Sequence, residues 1–257
     1  MDTESVRLET RGHVAIITIN RPTARNAVDA NVAQGLERAI DELDNTDVLR
    51  VGVLAAEGPA FSAGADLRLI AEGRRHEMYT ERGGFAGLTA RSRVKPLIAA
   101  VDGPAVAGGM ELVLACDLVV ASRQARFALP EVKRSLVAAG GGLFRTQRVL
   151  PWGVALQLLL TGDPLTAERA HELGFVVELA EPGHATEVAI GLAERIAANA
   201  PLAVQRSLRE AIDGTSSDEG ELWLRSRAAM DEILTTQDAE EGPRAFLERR
   251  DPEWVGR

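Results

Sequence analysis

Apolar residues follow two different rhythms along this chain. In the first 180 or so residues, short apolar runs alternate with stretches of helical period. VAIITI (14–19) is β-branched and bounded by Gly12 and Pro22, which predicts a strand. From Val32, the positions Val32, Leu36, Ala39, Ile40 and Leu43 recur at helical spacing behind Asp29, a candidate N-cap. VGVLAA (51–56) is strand-like again and stops at Gly58-Pro59. LIAAV, DLVVAS (117–122) and ARFALP (125–130) follow, each short, apolar and cut off by Gly, Asp or Pro. Strands interleaved with helices predict an α/β architecture.

The rhythm changes near Glu181-Pro182. Beyond it the chain shows helical periods over 186–198, 201–213, 219–235 and 239–250, with almost no strand signal. Pro201 and Gly214 punctuate them. The expectation is a catalytic core over 1–195 and a helical subdomain or oligomerisation arm over 196–257. Neither a sequence repeat nor a low-complexity linker is detectable.

Composition narrows the function classes. A chain of 257 residues can bury a sizeable core, and with only 4% aromatic residues that core must be aliphatic. The net charge of −9 argues against a nucleic-acid partner, while leaving room for a phosphorylated ligand held by a few local arginines. The single cysteine, Cys116, cannot form an intrachain disulfide and fits a reducing compartment. The opening MDTESVRLET is polar and acidic, unlike a signal or transit peptide, and no apolar run approaches the ~20 residues of a membrane helix. The expectation is a cytoplasmic protein with no membrane partner. His13, His76, His171 and His184 stand far apart without metal-ligand spacing. GxSxG, Walker A and GxGxxG motifs are missing, so neither a metal nor a redox cofactor is expected. The GGG at 140–142 reads as a turn, because no Lys-Ser/Thr follows it.

Three segments carry candidate chemistry. FSAGADL (61–67) follows a strand, and its small residues leave backbone N–H groups open to a ligand. In GPAVAGGMELVL, Gly108 and Gly109 lead into an apolar helix carrying one acid, Glu111. In ALPEVKR (128–134), Glu131 follows Pro130 directly after a strand. Singly, these read as a plain strand-to-helix turn, a helix N-terminal acid favoured by the dipole, and a loop acid. Together they suggest more. Two N–H-presenting turns could converge on one carbonyl oxygen as an oxyanion hole. Two glutamates could share a water as acid and base, and burial in an apolar helix would raise the pKa of Glu111.

In this combination the chain resembles the crotonase (enoyl-CoA hydratase/isomerase) superfamily over nearly its whole length. The matching pieces are INRPTARNAVD (19–29), GPAFSAGADL (58–67), AAVDGPAVAGGMELVLACDLVVAS (99–122), ARFALPEVKRSLVAAGGG (125–142), LTGDPLTAERAHELGFV (160–176) and FLERRDPEW (246–254). The resemblance implies a spiral of ββα turns followed by a C-terminal helical trimerisation region, with trimers often pairing into hexamers. It implies an acyl-CoA thioester substrate, CoA being part of the substrate and not a separate cofactor.

The same resemblance assigns roles. The thioester oxygen would accept hydrogen bonds from the N–H groups of Ala65 and Gly108. Glu111, three residues after Gly108, and Glu131, after the proline of the PE element, would be the catalytic pair. Keeping both points to the hydratase branch: water added to a trans-2-enoyl-CoA, with Glu111 activating water at C3 and Glu131 exchanging the proton at C2. CoA would lie along Thr23, Arg25 and Ala27 and along Ala63, Gly64, Asp66 and Leu67, with Gly109 beside the hole. Arg25 is a candidate phosphate partner, or simply an exposed arginine. Phe246 and Arg249 would reach CoA from a neighbouring subunit's terminal helix.

Two stretches depart from the family pattern. Thr23 stands where many hydratases carry a basic residue, and KRSLVAAGGGLFRTQR replaces the usual proline- and glycine-containing loop after Glu131. A crotonobetainyl- or carnitinyl-CoA hydratase, an enoyl-CoA isomerase and a non-catalytic acyl-CoA binder stay open as alternatives.

Overall fold

Strand β1 (Val6–Arg11) pairs antiparallel with β2 (Val14–Ile19) through a turn at Gly12, whose φ of +57° suits a residue without Cβ. The computed structural model describes residues 4–214 and 218–257. After β2, helix α1 (Ala30–Asn45) starts at Asp29, whose carboxylate accepts the N–H of Val32 at 2.9 Å, the cap expected from sequence. There follow β3 (Val51–Ala56), α2 (Leu67–Ala71), a small hairpin of β4 (Tyr79–Thr80) and β5 (Gly84–Phe85), β6 (Leu97–Val101), β7 (Ala105–Val106) and α3 (Gly108–Leu114). The chain continues through β8 (Leu118–Ser122), β9 (Arg126–Ala128), α4 (Gly142–Val149), α5 (Trp152–Thr161), β10 (Leu165–Thr166), α6 (Ala167–Glu172) and β11 (Glu178–Ala180). Four helices close it: α7 (Ala185–Ala197), α8 (Pro201–Asp213), α9 (Glu219–Leu234) and α10 (Gln237–Glu248).

The main sheet has the order β1-β2-β3-β6-β8-β11, parallel throughout except for β1 against β2. Its central strands are covered on both faces, which is why they read as unbroken apolar runs and not as alternating ones. On one face Val51, Val53, Ile98 and Val120 pack under Ala189, Ile190, Ala193 and Ala197 of α7. On the other, Ile17, Leu54 and Val101 meet Leu36, Ile40 and Leu43 of α1 and Met110 and Val113 of α3. The first helix of the strand-poor region therefore roofs the sheet.

Helices α8 and α9 behave differently. Neither contains a fully buried residue, and Ile212, Trp223, Leu224, Met230 and Leu234 are exposed. Ion pairs tie the two together, Arg225 to Glu210 at 2.8 Å and Arg206 to Glu232 at 3.0 Å. Helix α10 is anchored by its own tail: Asp238 accepts the N–H groups of Val255 and Gly256, and the Trp254 indole donates to the Ala198 carbonyl at 2.8 Å. Among the described residues, no helix is long and apolar enough to cross a membrane.

Parallel pairing fixes where the loops go. Because β2, β3, β6 and β8 run the same way, the segments after Ile19, Ala56, Val101 and Ser122 all leave one edge of the sheet. In open parallel sheets that edge, at the carboxyl ends of the strands, is where ligands bind. A second, smaller sheet, β10-β9-β7, takes β7 and β9 from these returning segments and β10 from the chain after α5, and isolated bridges Ser62–Ala105 and Val28–Ala65 extend its row.

Candidate active site

Buried Asn26 welds the first two turns into one unit. Its amide donates to the carbonyls of Glu57 and Ala60 at 2.8 and 2.7 Å, and its Oδ1 accepts the N–H of Arg21. The Ser62 hydroxyl donates to the Asn26 carbonyl, Ala63 N–H to that of Arg25, and Val28 N–H to that of Gly64. Arg21 pairs with Asp29 at 3.2 Å and lies 3.6 Å from Asp66, which also caps α2 through the Arg68 N–H. Asp66 thus has a structural task the sequence does not reveal. Arg25 is exposed, and among the described residues no acid pairs with it. Thr23, Ala63 and Leu67 are exposed on the same turns, whereas Ala27 is buried.

The second and third turns interlock so tightly that only glycine fits. A Cβ on Gly64, where φ is +84°, would stand 2.6 Å from the Gly108 nitrogen. One on Gly109 would stand 2.1 Å from the Ser62 carbonyl oxygen. Between them Ala107 adopts φ +52° and ψ −124°, a strained conformation for alanine, held by its N–H to the Ala128 carbonyl at 2.9 Å. That kink swings the chain into α3 so that Gly108 opens the helix. Among the described residues, neither the Ala65 nor the Gly108 N–H donates a hydrogen bond. Two adjacent unpaired donors, one at a helix N-terminus, form a receptor for an oxygen that gains negative charge.

Glu111 lies one turn into α3 and is only 5% exposed. Its Oε1 accepts the N–H of Gly142 at 3.0 Å. A Cβ on Gly140 would stand 2.6 Å from its Oε2, and one on Gly142 3.2 Å from its Oε1. The glycine run that reads as a plain turn is therefore a cradle for this carboxylate. Burial pushes the Glu111 carboxyl up to about 7; the charge of Glu131 adds to the rise, against the Gly142 N–H and the Arg145 guanidinium.

Glu131 sits in a 3₁₀ turn, Pro130–Arg134, and is half-buried. Burial raises its pKa as well, opposed by Arg134. Its Oε2 is buried and has no partner among the described residues, so one lone-pair face is open to a water or substrate. The β4–β5 hairpin closes the other side. Phe85 packs where a Cβ on Gly108 would be, and Tyr79 meets Phe85 edge-on at 5.6 Å between centroids. Burial and the charge of Glu111 raise the Tyr79 phenol pKa, which places Tyr79 within that carboxylate's field.

The structure thus brings Ala65, Gly108, Glu111 and Glu131 into one neighbourhood, with Gly64 and Gly109 as the contact points of the turns. Phe246 and Arg249 stand at the C-terminal end of α10, and Phe246 is 82% exposed. Sequence reasoning passed over Asn26, Arg21, Tyr79, Phe85 and the cradle role of Gly140–Gly142. The consecutive glycines were a visible signal, and Arg21 and Asn26 stand inside the matching piece INRPTARNAVD; Tyr79 and Phe85 lack a local signature. Two interacting carboxyl groups with raised pKa, beside two unpaired N–H donors, can move protons on a carbonyl compound near neutral pH.

Residues 9–257 match the family model described as enoyl-CoA hydratase/isomerase. The chain is 38% identical over 256 residues to enoyl-CoA hydratase EchA19 of Mycobacterium tuberculosis, covering 97% of this chain and 96% of that protein. It is 40% identical over 260 residues to a carnitinyl-CoA dehydratase of Salmonella arizonae, covering 98% and 99%. A crystal structure of an enoyl-CoA hydratase from Mycobacterium tuberculosis H37Rv superposes with a TM-score of 0.96 at 48% identity, over 99% of this chain and 100% of that one. By sequence match over nearly its full length and by fold, the chain belongs to the enoyl-CoA hydratase/isomerase family and has the crotonase fold.

Proposed function

We propose that this protein is an enoyl-CoA hydratase that adds water syn across a trans-2-enoyl-CoA to give a 3-hydroxyacyl-CoA. One observation carries the reading: two desolvated glutamates stand beside two unpaired backbone donors. The thioester oxygen accepts from the N–H groups of Ala65 and Gly108, which stabilise the enolate. Glu111, ionised, takes a proton from water as its oxygen bonds C3. The C2–C3 π pair moves toward the thioester, and Glu131 hands a proton to C2. With the Glu111 carboxyl at about 7, the rate should climb with pH through a limb near neutrality.

In this reading CoA runs along Thr23, Arg25 and Ala27 and along residues 63–67, with Arg25 on its phosphates. The exposed apolar side chains of α8 and α9, with Trp152 and Leu160 of α5, support assembly into a trimer or a dimer of trimers. A neighbouring copy's Phe246 and Arg249 would then reach the CoA. The proposed division is a core over 1–195 and an oligomerisation region over 196–257, in a cytoplasmic enzyme of fatty-acid β-oxidation. No metal or separate cofactor enters the scheme.

The likeness to carnitinyl-CoA dehydratase favours a second reading, in which the acyl group carries a quaternary ammonium. The test is loss of the conjugated enoyl-thioester absorbance with crotonyl-CoA and crotonobetainyl-CoA side by side. Rapid loss with crotonyl-CoA supports the first reading, and a large preference for the cationic substrate supports the second. Double-bond migration without hydration would overturn both.

A further inference from the structure

Arg145 lies on α4, one turn after the glycine cradle, and its Nη1 is buried with no hydrogen-bond partner among the described residues. It has no ion-pair partner there either, although half-buried cations are normally compensated. The surroundings explain where it points. A Cβ on Gly141, where φ is +119°, would stand 2.5 Å from Nη1, so the guanidinium folds back over the loop. The backbone N–H of Arg145 donates to the Gly141 carbonyl at 2.9 Å as part of the first turn of α4, and the Phe144 ring lies 5.3 Å from the guanidinium carbon. The neighbouring residues of that loop, Gly140 and Gly142, hold Glu111.

The charged groups around Arg145 leave its charge uncancelled. Arg93 is neutralised by Asp117 at 2.9 Å. Arg148 adds a like charge from the exposed side of α4, and the Cys116 thiol, pushed up to about 12 by burial, stays neutral. Glu111 is the acid whose field Arg145 feels. Facing Glu111 in turn are Glu131, Tyr79 and Arg145.

We propose that Arg145 is a positioning residue for Glu111: its unpaired guanidinium, folded against Gly141, sets a positive charge behind the Gly140–Gly142 loop that cradles the carboxylate. The catalytic consequence rests on the reading of Glu111 as base; the electrostatic coupling does not. A nearby cation stabilises the carboxylate, so removing it raises the pH at which Glu111 ionises.

The test is a carboxyl-carbon NMR titration of the full-length protein labelled in glutamate, with the Glu111 resonance assigned through Glu111→Gln. Arg145→Met should raise the Glu111 midpoint by ~0.5–1 pH unit, and Arg145→Lys should return most of that shift. The hydration rate of crotonyl-CoA, followed against pH, should show its acid limb moving with the midpoint. Arg145→Gln replaces the Met variant if the latter does not fold. An unmoved midpoint, or an equal rise in the Lys variant, overturns the proposal, since a packing role alone would not depend on charge. Absence of hydration in a wild type whose midpoint still responds would instead overturn the functional reading and leave the coupling standing.

Discussion

The two glutamate-bearing segments are built in opposite ways. Glu111 belongs to a helix whose residues are all buried, and a backbone N–H grips its carboxylate through a loop in which bulkier residues would collide with it. Glu131 belongs to a short 3₁₀ turn that buries none of its residues, and its Oε2 is left without a partner. The first arrangement fixes a carboxylate against a rigid wall. The second leaves a carboxyl oxygen available to a mobile water or to substrate. Two acids in one site can thus divide acid and base work without differing in residue type, because their supports differ.

The sharpest way to break the comparison is to remove one carboxylate at a time. Glu111→Gln and Glu131→Gln should each lower kcat for crotonyl-CoA hydration by ~10²–10⁴-fold while leaving calorimetric binding of acetyl-CoA intact. A near-wild-type rate in either variant would end the two-acid scheme.

Gly64→Ala probes the donors both segments serve. Its methyl would press on the Gly108 nitrogen, in a conformation that alanine resists, so kcat should fall by ~10²–10³-fold. Retained turnover would show that this contact does not shape the proposed oxyanion hole.

Stability sharpens the contrast next. A carboxyl whose folded pKa is raised from 4.5 to about 7 stays protonated in the fold where the unfolded chain has already ionised. Folding therefore loses stability as pH rises from the unfolded value through about 7. Glu111→Gln should raise unfolding free energy by about 3 kcal/mol at pH 8 and scarcely at pH 4, read from urea melts. Glu131→Gln, less buried, should gain less.

The smallest effect belongs to the turn that carries Glu131. Ser135 ends it in the left-handed region at φ +55°, and Ser135→Gly should stabilise the fold by about 0.5 kcal/mol, the relieved strain being partly offset by chain entropy. A loss of stability in thermal melts would show that the Ser135 side chain does more than tolerate this turn.

How much of this was legible in the sequence depends on the range of the interaction concerned. The VAIITI strand, the Asp29 cap and the onset of helices late in the chain are local matters, and local patterns revealed them. The candidate acids and glycine turns were visible as unusual residues in their segments, and the family resemblance supplied their joint meaning. The late helical stretch shows the limit: α7 is helical like α8 and α9, yet it seals the main sheet while they leave apolar side chains outside. Periodicity reports that a helix has an apolar side, not what covers it.

By itself, then, the amino-acid order determined the elements, the alternation that makes a parallel sheet, and the residue types available for proton transfer, because each depends on neighbours within a few positions. Only the tertiary structure decided that Gly140 and Gly142, some 30 residues beyond Glu111, would cradle its carboxylate. The same holds for Asn26 locking two turns and for Arg145 standing behind the cradle uncompensated. Such contacts form when parallel strands deliver distant loops to one edge. Their strength comes from burial there, where desolvation and a single backbone N–H reset what a carboxylate can do.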